Sequence, residues 1–171
     1  MTTIALAIMV LVTAQRLFEV ILANRNTKRL LAQGAQEIGA LHYPLIVAVH
    51  AGWLATLFYQ AASVISINWW LLGAFGVLQC GRVWVLMSLG PYWTTRIITV
   101  PNAPLVRRGP YQWFRHPNYT IVCGEIALLP LAFGYTMTAI IFTSMNAAVL
   151  IWRIRIENSV LAEREADETS A

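Results

Sequence analysis

Charged residues are scarce in this sequence. Asp, Glu, Lys and Arg make up 12% of its 171 residues, about half of the share that is typical of soluble domains. Hydrophobic residues make up 58%, and this composition predicts an integral membrane protein. The net charge is +4, but the basic residues flank apolar runs instead of forming one patch. The charge therefore indicates contact with membrane lipids and argues against nucleic-acid binding.

Cysteines are few, and the glycines form no nucleotide-binding loop. Cys80 and Cys123 lie inside apolar runs, without a C-x-x-C pair or a histidine beside them. We therefore predict two buried thiols, with neither a disulfide nor a metal site. The sequence contains no G-x-G-x-x-G pattern, which excludes the dinucleotide loop of a Rossmann domain.

Long uncharged runs predict an all-α fold, an integral membrane helical bundle with about five transmembrane helices in a single domain over residues 1–171. The run from Tyr43 to Gly81 carries no charge and is long enough for two crossings of the ~30 Å hydrocarbon layer. Pro130 and the Gly134–Tyr135–Thr136 segment predict the turn of a C-terminal helical hairpin. The predicted spans are 2–24, 44–65, 69–89, 117–133 and 136–156, with a cytosolic loop at 96–116 and a cytosolic C-terminal helix at 153–166 that frays into an acidic tail.

The positive charges predict the orientation of this bundle. With five spans, every Lys and Arg of the connections falls on one side, and the short turns near Ser66 and Tyr135 carry none. The positive-inside rule makes that side cytoplasmic, so the N-terminus lies outside and the C-terminus inside.

Charged residues inside the predicted spans need partners. Arg16 and Glu19 are spaced i,i+3 and can pair on one helix face. Arg82 also needs a carboxylate, and both Glu19 and Glu125 are candidates, a choice that the sequence leaves open.

The segment from Val100 to Tyr119 combines three arginines, four prolines and four aromatic residues, which favours ligand binding. Its end places His116 and Tyr119 at a helix start. Arg153 and Glu157 are spaced i,i+4 on the last helix, which emerges on the same side. The hairpin therefore predicts that these four side chains meet. An ion-pair cluster that closes the bundle is the alternative interpretation.

Two blocks of sequence resemble the isoprenylcysteine carboxyl methyltransferase family of membrane enzymes. The family pattern is G-x-Y-x-x-x-R-H-P-x-Y and, after a helical hairpin, R-x-x-x-E-E-x-x-L. The matching residues are Gly109, Tyr111, Arg115, His116, Pro117 and Tyr119 in the first block, and Arg153, Glu157 and Leu161 in the second. Asn158 departs from the pattern, because it stands where the family usually has a second glutamate.

The resemblance implies an S-adenosylmethionine-dependent O-methyltransferase in a bacterial cytoplasmic membrane, with its cofactor in a cytosolic pocket. It implies a lipophilic acceptor, either a prenylcysteine-type carboxylate or a long-chain alkylresorcinol or alkylpyrone hydroxyl. Arg153 would bind the acceptor and act in catalysis. The implied cofactor-binding residues are Ala103, Pro104, Leu105, Val106, Tyr111, Arg115, His116, Pro117, Asn118, Tyr119 and Glu157.

Two other functions are open at this point. An NADPH-dependent membrane lipid reductase of related fold would use Arg107 and Arg108 for the 2′-phosphate. A non-enzymatic scaffold or transporter subunit would use Arg16, Glu19, Arg82 and Glu125 as a polar pathway. The sequence leaves the acceptor and the oligomeric state undetermined.

Overall fold

The computed structural model describes residues 1–100 and 106–170, with the side chains of all but 42, 160, 161 and 163–170. It confirms the predicted helical bundle. The helices are α1 (Thr2–Ala32), α2 (Tyr43–Ala61), α3 (Trp69–Leu89), α4 (Pro117–Ala132) and α5 (Thr136–Ser170). Two short strands are also present, β1 (Gln36–Ile38) and β2 (Ile97–Thr99), together with three 3₁₀ helices at Ala40–His42, Gly90–Tyr92 and Gly109–Gln112.

Four helical segments are long and apolar enough to cross a membrane, namely Thr2–Ala32, Tyr43–Ala61, Trp69–Tyr92 and Thr136–Ser159. At 16 residues, α4 is shorter than the usual ~20-residue crossing. Its C-terminus nevertheless reaches the α2–α3 connection, because the Asn68 amide donates a hydrogen bond to the Ala132 carbonyl at 2.8 Å. The Tyr135 hydroxyl also donates to the Gln60 carbonyl at 2.8 Å. These contacts show that α4 runs alongside α2 and α3 to the same end of the bundle.

Some helix ends differ from the ends of the predicted spans. α1 continues eight residues beyond position 24, α2 ends at Ala61 instead of 65, and α5 runs without a break into the predicted C-terminal helix and its tail. A contact between residues distant in sequence accompanies the extension of α1. The Asn26 amide donates to the carbonyls of Trp93 at 2.9 Å and Gly90 at 3.2 Å, so a polar residue that reads as a linker instead caps the end of α3.

The ribbon formed by β1 and β2 was not predicted. The strands are antiparallel, with Glu37 opposite Ile98, and they join the α1–α2 connection to the segment after α3. Arg96 pairs with Glu37 at 2.8 Å and lies over the Tyr43 ring at 4.5 Å. The ribbon thereby fixes the chain just before the segment that leads to α4.

The buried charges form one network that ties α1, α3 and α4 together. Arg82 contacts Glu19 at 2.7 Å and Glu125 at 2.8 Å, so both candidate partners are used. Arg16 contacts the same two carboxylates at 2.9 and 2.8 Å. Two cations face two anions, which leaves the network with no net formal charge. Such pairing is what buried charges require in an apolar medium.

Gly109 fastens the segment before α4 to the end of α3. Its φ is +59°, a left-handed conformation that favours glycine. A Cβ atom at this position would overlap Ser88 Oγ and lie 3.2 Å from Trp84 Nε1. Arg108 Nε donates to the Ser88 carbonyl at 2.7 Å. The close approach and this hydrogen bond fix where Tyr111 enters the core.

We expect Gly109→Ala to lower the free energy of unfolding by about 1–3 kcal/mol, because it combines left-handed strain with overpacking. Gly73→Ala is the matched control, since among the described residues no atom lies within 4 Å of a Cβ placed there. Thermal unfolding in detergent measures both variants. Equal midpoints for the two variants would contradict the role assigned to Gly109.

Candidate functional site

The site lies where α4 begins beside α5, at the end of the bundle opposite the α2–α3 turn. Tyr119, in the first turns of α4, donates its hydroxyl proton to Glu157 Oε2. The same hydroxyl oxygen accepts a hydrogen bond from Arg153 Nε at 2.6 Å. One phenol thus separates a carboxylate from a guanidinium, with both charged groups one turn apart on α5.

Arg153 is buried and its guanidinium is oriented from two sides. Nη1 donates to the Thr95 carbonyl at 2.7 Å, while Nε donates to Tyr119 and the guanidinium lies 5.5 Å from the centre of the Tyr119 ring. Thr95 is held in turn, because its hydroxyl donates to the Tyr43 hydroxyl at 3.2 Å. The direction of Arg153 therefore depends on the segment before β2 and on the start of α2.

His116 occupies the N-cap position of α4, directly before Pro117. Proline suits the first turn of a helix, where its missing N–H is not needed. The imidazole stacks on the Tyr119 ring with centroids 5.3 Å apart. Its Nε2 is 2.8 Å from Asn158 Oδ1, and its Nδ1 is 3.7 Å from Glu157 Oε1. His116, Tyr119, Arg153 and Glu157 therefore meet, as the hairpin predicted.

The other predicted cofactor residues differ in burial. Val106 and Tyr111 are half-buried, and Tyr111 packs against the buried cluster that contains Val85 and Trp93. Burial, and secondly the Glu157 charge, raise the pKa of the Tyr111 hydroxyl above its usual range.

Four further predicted positions differ in exposure. Pro117 is buried, Asn118 is half-buried and Arg115 is exposed at the surface. The Oδ1 atom of Asn118 is buried and has no hydrogen-bond partner within the described part of the chain. Ala103, Pro104 and Leu105 lie outside the described residues. The binding roles of all these residues stay predictions.

Sequence reasoning missed two contacts of the site. The contribution of Thr95 comes from a backbone carbonyl, which leaves no trace in residue type. Asn158 was noted as a departure from the family pattern, and its position directly after Glu157 was the available signal that it reaches the site. Among the residues that the structure describes, no group of three His, Cys, Asp or Glu side chains is placed to hold a metal ion.

A family model described as the isoprenylcysteine carboxyl methyltransferase (ICMT) family matches residues 70–163, more than half of the chain. This protein is a member of the ICMT family. The match confirms the resemblance, and it spans α3, the segment before α4, and the hairpin as far as the end of the second sequence block. α1, α2 and β1 lie outside the matched residues.

Two bacterial proteins are similar over most of their length. The chain is 41% identical over 156 residues to "Uncharacterized protein YpbQ" of Bacillus subtilis (strain 168), covering 87% of this chain and 91% of that protein. It is 26% identical over 162 residues to an "Uncharacterized protein" of Haemophilus influenzae, covering 88% and 91% respectively. No solved structure matches. This ICMT-family chain therefore shares most of its length with two bacterial proteins.

Proposed function

We propose that the protein is an S-adenosylmethionine-dependent O-methyltransferase that acts on a lipophilic acceptor at the membrane. The observation that carries the proposal is the Tyr119 hydroxyl held between Glu157 and Arg153, inside the residues matched by the ICMT family. Family membership supports methyltransferase-like activity in a membrane. The cofactor, the acceptor class and the residue roles are the steps that the proposal adds.

The proposed orientation has the site on the cytoplasmic side and the N-terminus outside. Arg29, in the last turn of α1, donates to the Pro91 carbonyl, and Arg96 pairs with Glu37 next to Thr95, which contacts Arg153. Arginines of α1 and of the segment after α3 therefore lie at the end of the bundle that holds Tyr119. The positive-inside rule makes that end cytoplasmic. α4 is then the fifth crossing, and its 16 residues span roughly 24 Å at 1.5 Å per residue. The bacterial relatives support a bacterial cytoplasmic membrane as the proposed location.

The residues present fit S-adenosylmethionine. Its chemistry is an electrophilic methyl group carried on a sulfonium sulfur. Glu157 offers a carboxylate to a cationic or hydroxyl donor, and the buried Asn118 Oδ1 is an acceptor that lacks a partner among the described residues. An unpaired buried acceptor is costly and is relieved by a ligand donor. The half-buried Tyr111 and Tyr119 offer ring surfaces.

Arg153 is the residue that we assign to the acceptor. Opposite charge nearby favours the ionised form of an acidic oxygen and lowers its pKa. Because two guanidinium nitrogens are already fixed by Tyr119 and Thr95, the group is oriented before an acceptor arrives, which reduces the cost of alignment. Both a prenylcysteine-type carboxylate and an alkylresorcinol or alkylpyrone hydroxyl are acidic oxygens on long apolar groups that the bilayer can deliver.

Calorimetric titration of the detergent-purified protein with S-adenosylhomocysteine, in parallel with NADPH, tests the proposal. We expect saturable binding of S-adenosylhomocysteine and no binding of NADPH. We expect Glu157→Ala to abolish the binding of S-adenosylhomocysteine, because the variant removes the only carboxylate that contacts Tyr119 among the described residues. The thermal midpoint and circular dichroism of Glu157→Ala verify that it is folded.

The other possible results contradict either the function or the role of Glu157. Binding of NADPH instead of S-adenosylhomocysteine would favour the reductase, although Arg108, one of its two proposed phosphate ligands, already donates Nε to Ser88. Unchanged affinity in Glu157→Ala would remove Glu157 from the cofactor site. Binding of neither compound to folded protein would favour the non-enzymatic scaffold or transporter subunit.

A further inference from the structure

Asn158, Glu157 and His116 form a small arrangement that the proposed reaction does not by itself require. His116 Nε2 lies 2.8 Å from Asn158 Oδ1, which is a good hydrogen-bond distance. His116 Nδ1 lies 3.7 Å from Glu157 Oε1, which is too long for a direct hydrogen bond. The second oxygen of Glu157 is occupied by the Tyr119 hydroxyl. His116 Nδ1 and Glu157 Oε1 are therefore separated by a gap and form no direct hydrogen bond with each other.

With its amide oxygen towards the ring, Asn158 assigns a tautomer to His116. An amide oxygen only accepts hydrogen bonds, so the imidazole must donate through Nε2–H. In the neutral ring the other nitrogen, Nδ1, is then an acceptor with a free lone pair. This tautomer follows from the placement of the Asn158 amide oxygen and nitrogen.

Two acceptors on either side of one gap call for a particular ligand group. A hydroxyl carries a single hydrogen and can satisfy one of them, whereas an ammonium carries three and can donate to both at once. The negative charge of Glu157 also favours a cation over a neutral donor, because hydrogen bonds between ionised groups are roughly twice as strong as neutral ones. A primary ammonium fits both the number of acceptors and their charge.

We propose that the gap between His116 Nδ1 and Glu157 Oε1 binds the α-ammonium group of the cofactor, and that Asn158 is the positioning residue that prepares it. The inference rests on the proposed function, since it concerns the amino-acid end of S-adenosylmethionine. Asn158 acts through His116: it holds the ring with its lone pair towards Glu157 and touches neither the methyl group nor the acceptor.

A cycle of protein variants and ligands tests the proposal by calorimetry. The ligands are S-adenosylhomocysteine and its analogue in which hydrogen replaces the α-amino group. We expect Asn158→Leu to weaken binding of S-adenosylhomocysteine by about tenfold, the value of one good hydrogen bond to a charged group, and to leave binding of the analogue within about threefold.

Ser159→Leu is the matched control, because it makes a similar apolar change one position along α5 on an exposed side chain. It should change neither affinity. If Asn158→Leu weakens both ligands equally, the ammonium assignment is overturned. If it weakens neither, the positioning role is overturned. Failure of the unaltered protein to bind S-adenosylhomocysteine would instead count against the proposed function.

Nitrogen NMR of histidine-labelled protein gives a readout that needs no ligand. The sequence has three histidines, and His116→Gln identifies the signal of His116. We expect the Nε2–H tautomer in the unaltered protein and a mixture of tautomers in Asn158→Leu. An Nδ1–H tautomer in the unaltered protein would overturn the inference.

Discussion

Arg153→Ala is expected to lower kcat by about 100- to 1000-fold, the range seen when one preorganised charge-stabilising donor is removed from an active site. The same variant should bind S-adenosylhomocysteine within about threefold of the unaltered protein. The reason lies in the geometry: Glu157 keeps its contact with Tyr119 without Arg153, whereas an acidic acceptor oxygen loses its nearest cation. Turnover is measured with whichever acceptor the protein methylates, from a set of prenylcysteine analogues and long-chain phenols and pyrones.

Two further variants separate the role of Arg153 from a structural one. Arg155→Ala removes an exposed arginine two positions along the same helix and should leave kcat unchanged. Tyr119→Phe removes the hydroxyl that Arg153 Nε contacts but keeps the guanidinium. If Arg153 meets the acceptor, Tyr119→Phe should cost much less in kcat than Arg153→Ala. Equal losses in kcat would mean that Arg153 acts only by holding Tyr119, and a parallel loss of cofactor affinity would move it to the cofactor side.

The parts of the fold that were predictable from sequence depend on long apolar runs. The hairpin of α4 and α5 follows from the turn at Gly134, whose φ is +85°, and any hairpin brings its two open ends together. That single fact was sufficient to predict that His116 and Tyr119 meet Arg153 and Glu157. The bulk of the helical bundle follows in the same way from hydrocarbon thickness and helix rise.

The contacts that were not predictable involve backbone groups or residues distant in sequence. The ribbon pairs Glu37 with Ile98, and three-residue strands are too short to show an alternating pattern. Asn26 stands in a polar stretch that resembles a linker. Its partners are the backbone carbonyls of Gly90 and Trp93, which the sequence does not identify. For the same reason the sequence could not show that Thr95 orients Arg153. The amino-acid sequence distinguishes residues by their side chains, whereas these contacts involve main-chain groups that every residue has.

The buried charges illustrate the limit of pairwise reasoning from sequence. Arg82 was predicted to need one carboxylate, and Glu19 and Glu125 were treated as alternatives. The structure uses both, and Arg16 contacts the same two groups. A planar guanidinium with five N–H donors can serve two carboxylates at once, which a list of possible pairs does not show.

Arg82→Leu should therefore lower the free energy of unfolding by about 3–5 kcal/mol, the cost of removing one partner from a buried ion pair. The variant leaves Arg16 as the one cation for two carboxylates within the described network, so one negative charge is uncompensated in the apolar interior. Arg25→Leu is the control, because it removes an exposed arginine and should have little effect. Unfolding in detergent, followed by tryptophan fluorescence, measures both.

A second variant decides whether the loss arises from charge imbalance or from lost packing. Arg82→Leu combined with Glu125→Gln removes one charge of each sign and leaves the Arg16–Glu19 pair, which lies on α1 itself at 2.9 Å. If imbalance is the cause, the double variant should be more stable than Arg82→Leu alone, even though it has lost one more ionic partner. Additive losses would show instead that Arg82 stabilises the bundle through packing. Recovery in the double variant would mean that charge neutrality at this depth, more than any single contact, holds α1 against α3 and α4, the helix that begins with the site residues His116 and Tyr119.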